Sequence, residues 1–376
     1  MRVRGRGWET PASPSPQGVW PREHIGRSDA QTRRRSSDFR RRRWARKTTL
    51  APTRLTRLGC RHTRPHRMRL GSSKPKELCV RVTQHYRLPK PSPFVDVHLE
   101  RDNLLFLDPS AIRNSTSSRG KRAHRLLLDF FTEVIRCRTS GSAGDQQKGR
   151  SLLQKLHEPK ETRLGMAVEG VAGHAFGSEL GERLWEQLST NTACRAAALT
   201  RLEDLRLFID GVGYDLISDL ATRVVFEELA DFTTEMMNQF PQLQASPTVV
   251  LNVDAWDLTT SDWMPRSFTL PDAYGPLLLV PKDWVYWRTL MDTEPFYNRH
   301  ATRTVQDERA TFVERKRLVP SKKSLREEFP NVRELNNRQA AKRKRDGVDL
   351  VEQYRQEVDA GFVPLDDDEL HRRTDI

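Results

Sequence analysis

The alternation of apolar and polar residues separates a long polar start from a patterned remainder. Residues 94–99 alternate and residues 103–108 then run apolar, which predicts two short strands that end at Pro109. Residues 123–137 place apolar side chains at helical spacing, so they predict an amphipathic helix. The folded part of the chain therefore begins between residue 77 and the first of these strands.

The middle of the chain continues with helical patterns. Residues 151–157 predict a short helix that Pro159 ends. Another helix is expected to begin near Ser178, whose hydroxyl suits an N-cap, and a further one covers residues 193–202.

A strand, a turn and a long helix are expected between residues 205 and 240. The apolar run 205–209 predicts a buried strand, and the glycines within 210–215 indicate a tight turn. A long helix follows up to Phe240, with Asp215 or Ser218 as its N-cap.

Pattern and composition change after Pro241. Residues 249–253 predict a strand, and residues 268–270 with 276–280 predict a hairpin around a Pro- and Gly-containing turn. Tryptophan needs a partner for its indole N–H, so a group of four is expected at the edge of the core: Trp256, Trp263, Trp284 and Trp287.

These elements together predict an α/β or α+β protein. Its centre is rich in helix and built on a small mixed sheet, with a C-terminal hairpin and a disordered basic N-terminal tail. We expect a tail over residues 1–76, a main domain over 77–300 and a charged helical extension over 301–376.

The net charge of the chain is concentrated in the tail. The whole sequence holds 64 Lys and Arg against 50 Asp and Glu, a net of +14. Residues 1–76 hold 22 basic side chains and four acidic ones, which leaves 42 against 46, a net of −4, for the remainder. Because the remainder of the chain is slightly acidic, the positive net charge of the whole sequence says little about whether the main domain binds nucleic acid.

Three hypotheses account for the tail, which has too few apolar residues to offset the ordering cost of folding. The first is a disordered arm that binds nucleic acid or another polyanion. The second is a targeting segment, although it has no continuous apolar stretch. The third is a mis-called start, because Lys47 is the only lysine among the basic residues before position 71 and Met68 offers an alternative start.

The cysteines and the hydropathy of the sequence indicate the cellular compartment of the protein and whether it enters a membrane. The cysteines are scattered without a C-x-x-C pair, which argues against a disulfide framework and fits a cytoplasmic protein: Cys60, Cys79, Cys137 and Cys194. No run approaches 18 apolar residues, so we expect no membrane association.

Several short motifs lie in the middle of the chain: His157-Glu158-Pro159, Leu164-Gly165, the glycine-spaced stretch after it, residues 208–220 (FIDGVGYDLISDL) and Leu277 to Lys282. On these motifs the segment from His157 to Phe240 resembles a class of uncharacterised bacterial open reading frames. The resemblance covers about half of the chain and implies no established activity.

Carboxylates around the turn at 210–215 are the sharpest candidates for chemistry. Asp210 and Asp215 flank two glycines, and Asp219 follows one helical turn later. Oxygen ligands at such a junction suit Mg²⁺ or Mn²⁺, and Lys282 is the candidate that stabilises charge on a phosphate. The competing hypothesis is that Asp215 and Asp219 only stabilise the start of a helix.

Three weaker candidates remain. His157 and Glu158, with Glu161, offer acid–base or metal-binding groups, although the sequence is not H-E-x-x-H and a polar helix end explains it equally. The glycines within 165–181 precede a helix whose N-terminus is able to bind an anion, or they form a plain loop. The basic run 342–345 is either a nucleic-acid contact or a solvated helix face.

Two function classes follow. The first is a metal-dependent, nuclease-like enzyme that acts on nucleic acid. The second is a non-catalytic interaction protein of a bacterial multi-component system, with a protein partner. Convergence of the three aspartates with Lys282 on a concave surface distinguishes the first from the second.

Overall fold

The structure is a computed structural model. It describes residues 80–101, 103–156, 159–165 and 178–375. The predictions for residues 1–76, including the alternative start, lie outside the described residues.

The described part contains sixteen α-helices and six β-strands, numbered in chain order. The helices are α1 (Val82–His85), α2 (Pro109–Asn114), α3 (Ser118–Thr139), α4 (Ala143–Gln154), α5 (Ser178–Thr190), α6 (Thr192–Arg195), α7 (Leu205–Phe208), α8 (Tyr214–Val224), α9 (Phe226–Gln239), α10 (Pro241–Gln244), α11 (Thr293–Phe296), α12 (Thr302–Glu308), α13 (Lys322–Glu328), α14 (Val332–Arg345), α15 (Leu350–Ala360) and α16 (Asp367–Thr374). The strands are β1 (Phe106–Leu107), β2 (Thr248–Asp257), β3 (Asp262–Pro271), β4 (Val285–Tyr286), β5 (Thr311–Val313) and β6 (Lys316–Leu318). Short 3₁₀ turns cover Leu202–Asp204 and Lys282–Trp284, and a π-turn covers Tyr297–Ala301.

This architecture confirms the mixed α/β fold class. Within the described ranges the strands form separate two-stranded antiparallel sheets, β1 with β4, β2 with β3 and β5 with β6. Helices pack around them to form one compact unit. None of the described helices is long and apolar enough to cross a bilayer.

Helix α3 confirms the amphipathic pattern expected at 123–137. The hydroxyl of Ser117 caps its first turn by accepting a hydrogen bond from the amide of Gly120 at 2.9 Å. Its apolar face is fully buried in the main core, through Leu126, Leu127, Phe130, Phe131 and Val134.

The expected strand at 205–209 is wrong, because this run is the short helix α7. The carboxylate of Asp204 accepts hydrogen bonds from the amides of Thr200 and Arg201, which closes a turn directly before the helix. A short apolar run fits a buried helix as well as a buried strand, so periodicity does not separate the two. The long helix expected next is interrupted at Val225, between α8 and α9.

The strand expected at 249–253 is confirmed within β2, but the hairpin expected after it differs from the one that forms. Its hairpin partner is β3, through a turn in which Asp257 accepts hydrogen bonds from the amides of Thr259 and Thr260. The hairpin expected between 268–270 and 276–280 is reduced to its turn. Asp272 and Pro276 form one antiparallel bridge, and the amide of Leu277 donates to the carbonyl of Pro271 at 3.0 Å, but residues 277–280 are buried without joining a named strand.

Three of the four tryptophans lie inside the core and not at its edge as expected, namely Trp256, Trp263 and Trp284, whereas Trp287 is half-buried. Trp256 donates its indole N–H to Asp129 at 2.9 Å, and Trp263 donates to the carbonyl of Leu152 at 3.0 Å. Their rings contact each other edge to face and both contact Phe130. Hairpin β2–β3 is thereby attached to α3 and α4.

The helices after residue 300 also contribute to buried clusters. Leu350, Val351, Tyr354 and Leu370 belong to the main core. A smaller cluster joins α12, α13 and α14 through Val305, Leu325 and Leu335.

Candidate functional site

The turn between α7 and α8 carries the first of the predicted metal ligands. Gly211 adopts a positive φ of 79°, which a residue with a Cβ rarely adopts, and helix α8 begins after Gly213 as its N-cap. The side chain of Asp210 is 69% exposed and lies 3.7 Å from the guanidinium of Arg333 on α14. Asp210 is therefore oriented by a cation at the surface.

The other two aspartates lie on the first two turns of α8. Asp215 is exposed and Asp219 is half-buried. The side chain of Ser218, expected as an alternative cap, is buried and accepts a hydrogen bond from the amide of Leu107 at 2.9 Å, so it attaches α8 to β1 instead.

The candidate electrophile Lys282 comes after the buried run 277–280 and begins a 3₁₀ turn. Its ammonium group forms an ion pair with Asp367 at the start of α16. Lys282 lines a cavity of about 380 Å³ with Arg81 and Asp96, whereas Asp210 lines a different cavity. The structure therefore does not bring Lys282 and Asp210 into one concave site.

No group of three His, Cys, Asp or Glu side chains within the described ranges is arranged to hold a metal ion. The metal role of Asp210, Asp215 and Asp219, with Mg²⁺ or Mn²⁺, stays a prediction. His157 and Glu158 lie outside the described residues, as does most of the glycine-rich stretch before α5.

The cavity that Asp210 lines measures about 470 Å³ and lies between the end of α5, α7 and α14. Asn337 donates to the carbonyls of Phe208 and Arg333, which holds α14 against the end of α7. Asp210 and Arg345 both line it, so its wall carries both signs of charge.

The basic run at the end of α14 is largely neutralised by its own neighbours. Lys342 pairs with Glu308 at 2.8 Å, Arg343 pairs with Asp346 at 3.6 Å, and Lys344 pairs with Asp349. This pattern is typical of a solvated helix face with local ion pairs.

Perturbed carboxylates are found in the interior. Burial raises the pKa of Asp108 to about 6, although amide hydrogen bonds from Leu290 and Ala111 act to lower it. Burial also acts to raise the pKa of Glu203, but the charges of Arg113 and Arg355 lower it by more. None of these side chains lines the two cavities above, so they stabilise the packing of the helices rather than form an open site.

A projecting hairpin is a feature that the sequence analysis missed. Strands β5 and β6 pair only with each other within the described residues, and all six of their residues are exposed. Large apolar side chains are exposed along it, with Phe312 at 71%, Val313 at 54% and Leu318 at 50%. The run Phe312-Val313 before Glu314 was the available signal, but it lay within a segment dominated by charge.

The turn of this hairpin is strained. Glu314 and Arg315 have φ values of 48° and 65°, so two consecutive residues other than glycine adopt the left-handed conformation. This is the turn that matches the twist of a two-residue hairpin, but it normally uses Asn or Gly. Such strain costs about 1 kcal/mol or more per residue, and in native proteins it clusters at functional positions.

Comparisons with known proteins place the chain in a family. The model of a domain of unknown function, DUF8370, matches residues 88–292, which is more than half of the chain. No curated protein matches, and no solved structure matches. The match covers the fold from the segment before β1 to the turn before α11, and the chain therefore belongs to the DUF8370 domain family.

Proposed function

We propose that this protein is a non-catalytic interaction protein that binds a partner protein through the hairpin β5–β6. The observation that carries the proposal is the exposed apolar surface of that hairpin. Several large apolar side chains exposed on one short hairpin are typical of a docking surface, because water contact with them is unfavourable until a partner covers them.

Both faces of the hairpin are available to a partner. Phe312 lies opposite Arg317 on one face, and Val313 lies opposite Lys316 on the other. The face of Val313 therefore combines an apolar side chain with the cation of Lys316, which suits an apolar partner surface bordered by carboxylates. The outer edges of the two strands also remain open for an added strand within the described residues.

The base of the hairpin is anchored, so its position is defined. Arg317 forms an ion pair with Asp307 on α12. The side-chain amide of Gln306 donates to the carbonyl of Pro320 at 2.7 Å, directly after β6. A rigid base reduces the ordering cost that binding would otherwise incur.

The interaction hypothesis has more support than the nuclease hypothesis. Asp210 and Lys282 pair with other residues and line separate cavities, whereas the apolar side chains of the hairpin stay exposed among the described residues. We place this function in the cytoplasm, because Cys137 and Cys194 are free buried thiols.

The test uses the full chain with a photo-crosslinking residue at position 312 in the source cells. A crosslinked protein is identified and purified, and its Kd is then measured for the wild type, for Phe312→Ser and for Val363→Ser. Val363 is 69% exposed and lies far along the chain from the hairpin, so it is the matched control. Phe312→Ser is expected to weaken binding by about 2 kcal/mol, roughly thirtyfold in Kd. An equal Kd for all three proteins contradicts the proposal.

A further inference from the structure

The last helix, α16, is held at both ends by basic side chains. At its start, Asp367 pairs with Lys282. At its end, Arg101 donates to the carbonyl of Thr374 at 2.9 Å, and Arg81 donates to the hydroxyl of Thr374 at 2.8 Å. Cations at the C-terminal end and a carboxylate at the start both complement the helix dipole.

The residue after the helix completes this arrangement. The carboxylate of Asp375 accepts hydrogen bonds from Arg81 and from the ring of His98, the latter at 3.1 Å. The side chain of Arg81 is only 4% exposed, and the carboxylate of Asp375 compensates its buried charge. We call Arg81, His98, Arg101 and Lys282 the basic seat.

Apolar contacts hold α16 only weakly. Leu370 is its one large apolar side chain that is buried, and Thr374 is the other buried residue. The connection from α15 through residues 361–366 forms no helix or strand and exposes Val363. Besides the contacts of Leu370 and the half-buried Leu365 with the core, attachment rests on ion pairs, which salt screens and which another acidic segment is able to replace.

A cavity lies beside α16, so the helix does not fill all of the space next to the basic seat. The cavity of about 380 Å³ lies between α16 and the segment around Lys90, Pro91 and Val95. Arg81 and Lys282 of the basic seat line this cavity. His98, Arg101 and Lys282 lie within the matched range 88–292 of the family domain, whereas α16 lies beyond it.

We propose that the basic seat is a binding site for an acidic helical segment of a partner protein, and that α16 is an intramolecular occupant which this segment displaces. The partner segment has Asp or Glu at the start of a helix and a carboxylate just after its end. These carboxylates pair with Lys282 and Arg81, in place of Asp367 and Asp375 respectively. The proposal is independent of the hairpin.

The experiment uses a fluorescent peptide with the sequence of residues 364–376 as the probe, titrated with full-length protein. The double variant Asp367→Asn with Asp375→Asn weakens α16 and leaves the basic seat intact. The matched control is Asp368→Asn, which removes a neighbouring carboxylate outside the contacts above. We expect the double variant to bind the peptide at least tenfold tighter than wild type or the control.

A second variant tests whether the peptide binds through the residues of the basic seat once α16 is released. Adding Lys282→Ala and Arg101→Ala to the double variant is expected to weaken peptide binding at least tenfold. Hydrogen exchange is expected to be faster in α16 of the double variant than in wild type. Unchanged exchange in α16, or peptide binding that is insensitive to Lys282 and Arg101, overturns the proposal. Dimerisation of the double variant by α16 exchange overturns it as well, because a second copy is then the occupant.

Discussion

Gly181 on α5 provides the most direct test of how the two helices α4 and α5 pack. A Cβ at this position would lie 2.5 Å from the carbonyl oxygen of Leu153, 2.6 Å from its carbonyl carbon and 2.8 Å from the Cα of Gln154. All three atoms belong to the backbone of α4, so no side-chain rotation relieves the contact. Gly181→Ala therefore forces the two helices apart.

The expected loss follows from two opposing contributions. Overpacking of this kind typically costs about 1–3 kcal/mol, and the rigid backbone of α4 places Gly181 toward the upper end. Alanine in place of glycine within a helix returns up to about 1 kcal/mol. We expect the free energy of unfolding to fall by roughly 1–2 kcal/mol.

Urea unfolding of the full chain, followed by far-ultraviolet circular dichroism, measures this loss. The matched control is Gly144→Ala in α4, where the nearest atom to a Cβ is the hydroxyl oxygen of Ser142 at 3.6 Å. That control is expected to be neutral or stabilising, by up to about 1 kcal/mol. The reasoning is refuted if Gly181→Ala is as stable as Gly144→Ala.

Three further predictions concern buried charges and the predicted metal site. Because burial raises the pKa of Asp108 from 3.8 to about 6, its stabilising contribution is present below pH 3.8 and is lost as pH rises through 6. Wild type should therefore lose about 3 kcal/mol relative to Asp108→Asn between pH 3.5 and 7 in urea unfolding, and parallel curves contradict this. Arg355→Met leaves the buried carboxylate of Asp204, now 2.8 Å from the guanidinium, without its cation. The expected loss is about 3–5 kcal/mol by the same assay, and a loss below 1 kcal/mol would argue against a buried ion pair. If the nuclease hypothesis holds, full-length protein cleaves DNA or RNA with Mg²⁺ or Mn²⁺, and cleavage unaffected by Asp215→Ala and Asp219→Ala excludes this site.

The candidate site shows where sequence reasoning stops. Asp215 and Asp219 are four residues apart and lie on one helix, as spacing alone predicted. Their distance from Lys282 depends on where the 3₁₀ turn that begins at Lys282 packs. The ammonium group of Lys282 pairs with Asp367, which lies 85 residues further along the chain. Local spacing carries no information about such a contact.

The hairpin β5–β6 illustrates the same limit for docking surfaces. Its strands are short and its turn uses Glu and Arg, so neither length nor turn composition marked it as a hairpin. Exposure of Phe312 is visible only once the surrounding helices are placed, because an apolar residue in sequence is equally compatible with burial.

The sequence by itself determined the mixed α/β class, helix α3 and strand β2, because apolar periodicity and turn chemistry are local properties. Tertiary structure alone decided that 205–209 is helical, because packing selects between helix and strand for a short apolar run. It also decided which cation meets which carboxylate, including the capture of Asp367 and Asp375 by the basic seat. These pairings join residues up to 294 positions apart, and only the folded chain brings them together.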